Sequence, residues 1–459
     1  MIHFFCSVVN NAAGVVQNSA KCVIIFPYDR KEPEKDMKKT PGEILASYAP
    51  GLPDPFYAKL FRVLLSCASI GKRADFVYHF DKKAMKGKQV LILADHASTD
   101  SYIWALKGYP FVEPNVVMGY QNILRRGLFH VFLKVGVIPK KLFIPDVSTV
   151  RSILRLKKLG ASFVLFPEGI QSMDGSVMPT NPATMQLVKK LGLDVVLVTS
   201  FGAYLNRPRF DSCYRHGPME FHYELLFTAD ELNEMSADEL YARYLAKFRY
   251  NDPEENARRG CVYRGKHENA YGLDKILFVC PDCGKEFTLK VEGDSVVCSC
   301  GRRVRVDERY ALIPEGGDFP FSRIDEWFRF GRETVRREVM KEDFSLSYPA
   351  EYLTLDQVTL GDDRCVKLGE GTVTLCRRGF NYDGTKNGEH VSITIPIEDM
   401  PSAPFVSGTA NEFFFGEEYF RFVPKNDPRL SVKVLLAVEE LHRLVDPVWR
   451  KYGDDVYFR

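Results

Sequence analysis

The chain lacks any run of about eighteen apolar residues, the length a bilayer-spanning helix requires. Its best stretch, residues 191–205, is broken by Asp194, Thr199 and Ser200, so any membrane contact is expected to be peripheral. A secretory leader pattern is missing too. The first thirty residues carry apolar patches, but Asn10, Asn11, Gln17 and Asn18 interrupt them and no positive segment precedes them. A cytoplasmic location is therefore expected. Neither sign of charge dominates: 62 basic and 60 acidic residues leave a net charge of +2, which argues against a nucleic-acid binder. There is no internal repeat and no low-complexity tract. With 45% hydrophobic residues among 459, disordered, collagen-like and small disulfide-stapled classes are excluded. A disulfide framework is also missing, because Cys6, Cys22, Cys67, Cys213, Cys261, Cys365 and Cys376 are scattered. The remaining four cysteines sit together, the pattern of a metal site in a reducing compartment.

At about 100 to 200 residues per domain, the length predicts two to four domains. Residues 1–43 read as leader and linker, ending in a charged, Pro-bearing stretch at 29–36, with Met37 as the expected true start. Residues 44–250 alternate β-branched runs with helical periods, as an α/β domain with a mixed sheet flanked by helices requires. Strands are expected at 89–94, 161–166 and 194–198, each followed by polar or Gly-containing residues where open α/β sheets place ligands. Ahead of them, Phe56, Tyr57, Leu60, Phe61, Leu64 and Leu65 recur at helical spacing, predicting a helix that packs on the sheet or lies in a membrane interface. Residues 251–275 read as a charged linker and 276–306 as a metal-binding ribbon. Residues 307–459 read as a β-rich module, with strands at 371–376, 391–395, 412–415 and 419–423 and a terminal helix at 431–451. Strands closed by one helix resemble a pleckstrin-homology-like or GRAM-like module. A basic amphipathic helix opening at Trp327, Phe328 and Phe330 suits either interfacial insertion or packing against the ribbon.

Directly after the first expected strand comes Asp95-His96-Ala97-Ser98-Thr99-Asp100. A neutral imidazole can take a proton from an alcohol near neutral pH, and a carboxylate held against it fixes its tautomer. The bland alternative is a helix start capped by Ser98 or Thr99. Gly136-Val137-Ile138-Pro139-Lys140-Lys141 follows, then Phe166-Pro167-Glu168-Gly169 after the second strand, then the apolar strand from Val195 to Ser200. In that order these pieces resemble the glycerolipid acyltransferase family, which includes bacterial 1-acylglycerol-3-phosphate acyltransferases, over about residues 55–250. The resemblance implies that His96 acts as general base on an acceptor hydroxyl that attacks an acyl thioester, with Asp100 as its partner. It implies that Phe166, Pro167, Glu168 and Gly169 shape the acceptor pocket, and that Lys140 and Lys141 meet an acceptor phosphate. The implied donor is acyl-CoA or acyl carrier protein, and the implied acceptor a lysophospholipid at a membrane surface.

Three departures stand out. Only three residues separate His96 from Asp100 where the family has four, although positions four apart on a helix lie only about 40° out of line. Asp95 replaces the usual Asn and supplies a rival carboxylate. Ile170-Gln171 replaces the family's Ser/Thr-Arg pair. These departures motivate two further readings: a non-catalytic lipid-binding scaffold, and acylation of a non-phosphorylated acceptor.

Cys280-Pro281-Asp282-Cys283-Gly284 and Cys298-Ser299-Cys300-Gly301 place four thiols on two tight turns, each with a Gly that permits the turn. Four sulfurs suit a structural, tetrahedral zinc with no open position.

Overall fold

The computed structural model describes residues 39–446 apart from 212, 362–364 and 407. Most of the expected leader, with Met37, Cys6 and Cys22, lies outside the described residues, as does the end of the expected terminal helix.

The first seven strands are β1 (Asp75–Tyr78), β2 (Val90–Ala94), β3 (Asn115–Gly119), β4 (Ile138–Lys140), β5 (Phe163–Leu165), β6 (Asp194–Phe201) and β7 (Glu220–Phe227). They form one mixed sheet in the order β1-β7-β6-β2-β5-β3-β4. Only β6 and β7 pair antiparallel; the other neighbours run parallel. The three expected strands fall on β2, β5 and β6, whose continuous apolar runs are what a parallel centre buried on both faces demands. Every residue of β2 is buried. The edge strands β1 and β4 are short, and β4 contains Pro139, so neither carries an apolar run that periodicity can detect.

The helix expected before β2 spans Pro55–Ala68. It starts where Asp54 accepts hydrogen bonds from the Phe56 and Tyr57 amides and Pro55 occupies the first turn. Ala58, Phe61, Leu64 and Leu65 are buried against the domain, while Phe56 and Val63 are 69% and 53% exposed. One face packs, and the opposite face exposes Phe56 and Val63 together with Lys59 and Ser66.

The stretch expected as a charged linker carries a helix, Asp252–Arg259, and a short turn, Leu273–Lys275, with Tyr263 and Ala270 buried between them. Beyond it, β8 (Leu289–Glu292), β9 (Ser295–Cys298), β10 (Arg303–Val306) and β11 (Leu312–Pro314) form an antiparallel sheet in the order β11-β10-β9-β8. The helix Ile324–Val339 packs against this segment: Trp327 is buried and donates its indole N–H to the Val279 carbonyl at 2.9 Å. Trp327 and Phe328 are core residues, so the interfacial use of this helix is replaced by packing against the ribbon.

A third, antiparallel sheet holds β12 (Ser345–Leu355), β13 (Cys365–Cys376), β14 (Gly379–Lys386), β15 (Glu389–Pro396), β16 (Phe405–Val406), β17 (Ala410–Phe415) and β18 (Glu418–Pro424). Its order is β15-β14-β13-β12-β18-β17-β16. The helix Leu430–Val445 closes it, with Val432, Leu435, Val438 and Leu441 buried as expected. That helix is tied to Ile324–Val339 by the buried Arg332, which meets Glu439 at 2.9 Å and Glu440 at 3.2 Å. The β16–β18 end of this sheet reaches the first sheet: Phe414 packs edge-on to Tyr120 at 6.0 Å, and Glu412 accepts from Gln121 at 3.2 Å.

Candidate active site

The carboxyl ends of β2, β5 and β6 converge, and the chain leaving β2 begins with Asp95 and His96. Asp95 is buried and accepts from the Ser200 amide on β6 and, at 3.4 Å, from the Ala97 amide. Burial pushes its carboxyl up to about 6 against these bonds. The rival carboxylate therefore staples two strand ends and does not engage the His96 ring.

The His96 ring is fixed by its own turn. Its Nδ1 lies 3.2 Å from the Ser98 carbonyl oxygen. A carbonyl only accepts, so Nδ1 carries the proton and Nε2 presents a lone pair. Burial, reinforced by the positive charge of Arg209, lowers the imidazole to about 4. The ring is thus neutral near pH 7, as a general base must be. Phe166 leans against it at 5.1 Å between ring centroids.

Asp100 faces elsewhere. The expectation that His96 and Asp100 share a helix fails, because 95–100 is a turn and the helix starts only at Ser101. The Asp100 carboxylate accepts from Lys72 Nζ and from Arg207 Nη1, both at 2.7 Å, and shares no hydrogen bond with His96. Burial works to raise this carboxyl, and the Arg207 and Lys72 cations outweigh it, leaving it below the ordinary value. The capping alternative fails as well: the Ser98 hydroxyl accepts from the Asp100 amide at 3.2 Å, inside the turn, and the Thr99 hydroxyl donates to Gln171 Oε1 at 2.9 Å.

The segment after β5 supports this turn. Glu168 is buried and accepts from the His96 amide at 2.7 Å, the Met178 amide at 2.6 Å and the Tyr250 hydroxyl at 2.7 Å. Burial pushes Glu168 up to about 8. Pro167 lies between Phe166 and Glu168, and the Gly169 amide closes the turn on the Phe166 carbonyl at 3.1 Å. Phe166 and Glu168 are thus brought to His96, whereas Lys140 and Lys141 are committed to protein partners. Lys140 Nζ donates to the Lys141 and Ile144 carbonyls at 2.6 and 2.7 Å. Lys141 pairs with Glu417, in the turn between β17 and β18.

Two arginines that follow β6 also belong to this region: Arg207 is buried on Asp100, and Arg209 is half-buried. Burial lowers the Arg209 guanidinium to about 10. One of its Nη atoms donates to the Phe405 carbonyl on β16, and its Nε is buried without a hydrogen-bond partner. Sequence reasoning missed Lys72 and Tyr250. Both lie far in sequence from the groups they meet, and the Ser98 carbonyl, being backbone, leaves no signal at all.

A second cluster holds Cys280, Cys283, Cys298 and Cys300, whose sulfurs all lie within 4.8 Å of one another. Cys280 and Cys300 are 3.8 Å apart, and Cys283 and Cys298 3.7 Å. A tetrahedron with zinc–sulfur bonds of about 2.3 Å has edges of about 3.8 Å, so the four thiols fit that ion. Gly284 and Gly301 take left-handed φ values of 68° and 97°, as the two tight turns require.

The half-buried His96 ring and its turn thus lie at the carboxyl edge of the mixed α/β sheet, with Phe166 and Glu168 against them. No protein-family model matches the chain. Over 91 residues, 18% of this chain, it is 32% identical to the chloroplast 1-acyl-sn-glycerol-3-phosphate acyltransferase of Brassica napus. That stretch spans only 26% of the relative's own length. It supports a distant glycerolipid acyltransferase relationship for part of the chain. A solved structure, the 1-acyl-sn-glycerophosphate acyltransferase of Thermotoga maritima, is 20% identical with a TM-score of 0.33, covering 45% of this chain and 76% of that one. No helix among the described residues is long and apolar enough to cross a membrane.

Proposed function

We propose that the chain is an O-acyltransferase that esterifies a lysophospholipid, with 1-acyl-sn-glycerol-3-phosphate as the leading acceptor. The observation that carries this reading is the neutral His96 with Nε2 unprotonated, held by Ser98 and by Glu168. His96 Nε2 takes the proton of the acceptor hydroxyl as its oxygen attacks the carbonyl carbon of an acyl thioester. The tetrahedral intermediate collapses, the C–S bond breaks, and the imidazolium returns its proton to the departing thiolate. Donor thioesters of CoA or acyl carrier protein satisfy this chemistry equally. Arg209 is the cation placed to meet an anionic acceptor, being half-buried, with its charge felt at His96 and its Nε without a hydrogen-bond partner. Asp100 is a positioning residue that fixes Lys72 and Arg207.

A non-phosphorylated acceptor is the second reading, favoured by the engagement of Lys140 and Lys141 with protein partners. The exposed face of the helix Pro55–Ala68, where Phe56 and Val63 stand beside Lys59, supports peripheral contact with a membrane.

The test is release of free CoA from a long-chain acyl-CoA with and without 1-acylglycerol-3-phosphate or monoacylglycerol. Acceptor-dependent release that disappears in His96→Ala is the expected result; release with neither acceptor, or full release in His96→Ala, contradicts the reading. The four thiols would hold a structural zinc. Metal analysis is expected to find one zinc per chain, lost in Cys280→Ser.

A further inference from the structure

A second histidine meets a nucleophile in a different part of the chain. His267 Nε2 lies 3.5 Å from Cys213 Sγ, and its Nδ1 lies 2.9 Å from Asp211 Oδ1. Asp211 is buried and held on its other oxygen by the fully buried Arg215 at 2.9 Å. The Cys213 amide donates to Asp211 Oδ1 at 2.8 Å. The two contributing segments are joined in register: the His216 amide donates to the Arg264 carbonyl at 2.7 Å, and the Arg264 amide returns a bond at 3.1 Å. Tyr271 covers the imidazole at 3.9 Å between ring centroids.

A carboxylate accepts, so the Asp211 contact places a proton on Nδ1 and leaves the Nε2 lone pair facing the thiol. Thiol, base and carboxylate then stand in the order that activates a nucleophile: base within reach of the sulfur, base oriented by a third group. One ligand atom from each of the three residues lies within 4.8 Å of the others, but their hydrogen bonds suit a triad better than a metal site. Cys213 and Asp211 face different nitrogens of the ring, and the carboxylate's second oxygen already holds a guanidinium.

We propose that Cys213 is a second nucleophilic centre that accepts an acyl group from an acyl thioester, with His267 as its base and Asp211 as the positioning residue. The Sγ proton passes to His267 Nε2 as Sγ attacks the thioester carbonyl. The new C–S bond forms at Cys213, the C–S bond to the donor breaks, and the donor thiolate leaves with the proton from His267. One thioester replaces another, so the step needs no oxidant and no further reactant. The acyl class rests on the thioester chemistry of the proposed function. It is supported by placement: the neighbouring Tyr214 ring carries the Lys72 ammonium at 4.4 Å, and Lys72 holds Asp100 beside the His96 turn.

The experiment uses the full, reduced chain with octanoyl-CoA and no acceptor, followed by peptide mass mapping, and a parallel arm with iodoacetamide. The expected result is a hydroxylamine-labile octanoyl group on Cys213, retained in His96→Ala and lost in His267→Gln. Cys213 is also expected to alkylate at least about tenfold faster than Cys67 at pH 7, an advantage that His267→Gln removes. Equal alkylation of Cys213 and Cys67, unaffected by His267→Gln, overturns the proposal. Fast alkylation with no octanoyl adduct overturns its acyl assignment, and loss of the adduct in His96→Ala overturns a separate centre. If His267→Gln does not fold, the wild-type pH profile decides: alkylation still fast at pH 6 supports the triad, and an ordinary thiol profile centred near about 8.5 overturns it. Loading of Cys213 without transfer to any glycerol acceptor sustains this proposal while defeating the His96 one.

Discussion

His96 and His267 are oriented by opposite kinds of partner. A backbone carbonyl two residues away holds His96, whereas a buried carboxylate 56 positions away holds His267. The difference teaches what each ring is suited to. The carbonyl fixes the tautomer, while burial first and the positive charge of Arg209 second lower the His96 imidazole to about 4, so the ring is neutral near pH 7. A carboxylate fixes the His267 tautomer and turns Nε2 toward the Cys213 sulfur, the arrangement in which a base can take a thiol proton. The acid that spacing assigned to His96 is instead consumed by two cations.

Substitutions sharpen this contrast. The largest effect is expected from His96→Ala, which lowers kcat for acyl transfer by about 10² to 10⁴-fold, the range of general-base catalysis, measured by thiol release. Asp100→Asn comes next and acts on stability. Leaving Lys72 and Arg207 without their carboxylate is expected to cost about 3 kcal/mol in urea unfolding at pH 7. Because the folded carboxyl lies below its ordinary value, its contribution is present above about pH 4 and is lost as pH falls through the lower folded value. The wild-type and Asp100→Asn unfolding curves should therefore converge in acid. A gap that persists unchanged at pH 2 would contradict this assignment. The smallest shift is expected in the pH profile of Arg209→Gln: besides raising KM for an anionic acceptor, removing a positive charge eases protonation of His96, so the acid limb of the kcat/KM profile moves up by about one pH unit. An acid limb that stays in place or moves down would show that the Arg209 charge does not lower the ring.

The sequence made the centre of the first sheet legible, since β2, β5 and the Val195–Val198 part of β6 are buried and so carry apolar runs. It also marked the four clustered cysteines, whose spacing is local. The edge strands β1 and β4 were not legible because they are short and half-buried. His96, Phe166 and Glu168 were found from motif order, and the structure brings them together. The partner of His96 was not found, because helical geometry was assumed for residues that form a turn and because a backbone oxygen has no letter in the sequence. The Cys213–His267 pairing escaped for another reason: its spacing of 54 positions is set by how two loops pair at His216 and Arg264.

The central claim is that His96 serves as base without a carboxylate partner. The most direct test compares kcat/KM of His96→Ala and Asp100→Asn, side by side, in acceptor-dependent thiol release under conditions where both are folded. The account predicts at least a hundredfold loss in His96→Ala and activity within about tenfold of wild type in Asp100→Asn. An Asp100→Asn variant that falls as far as His96→Ala would show that the two residues act as one unit and would contradict it.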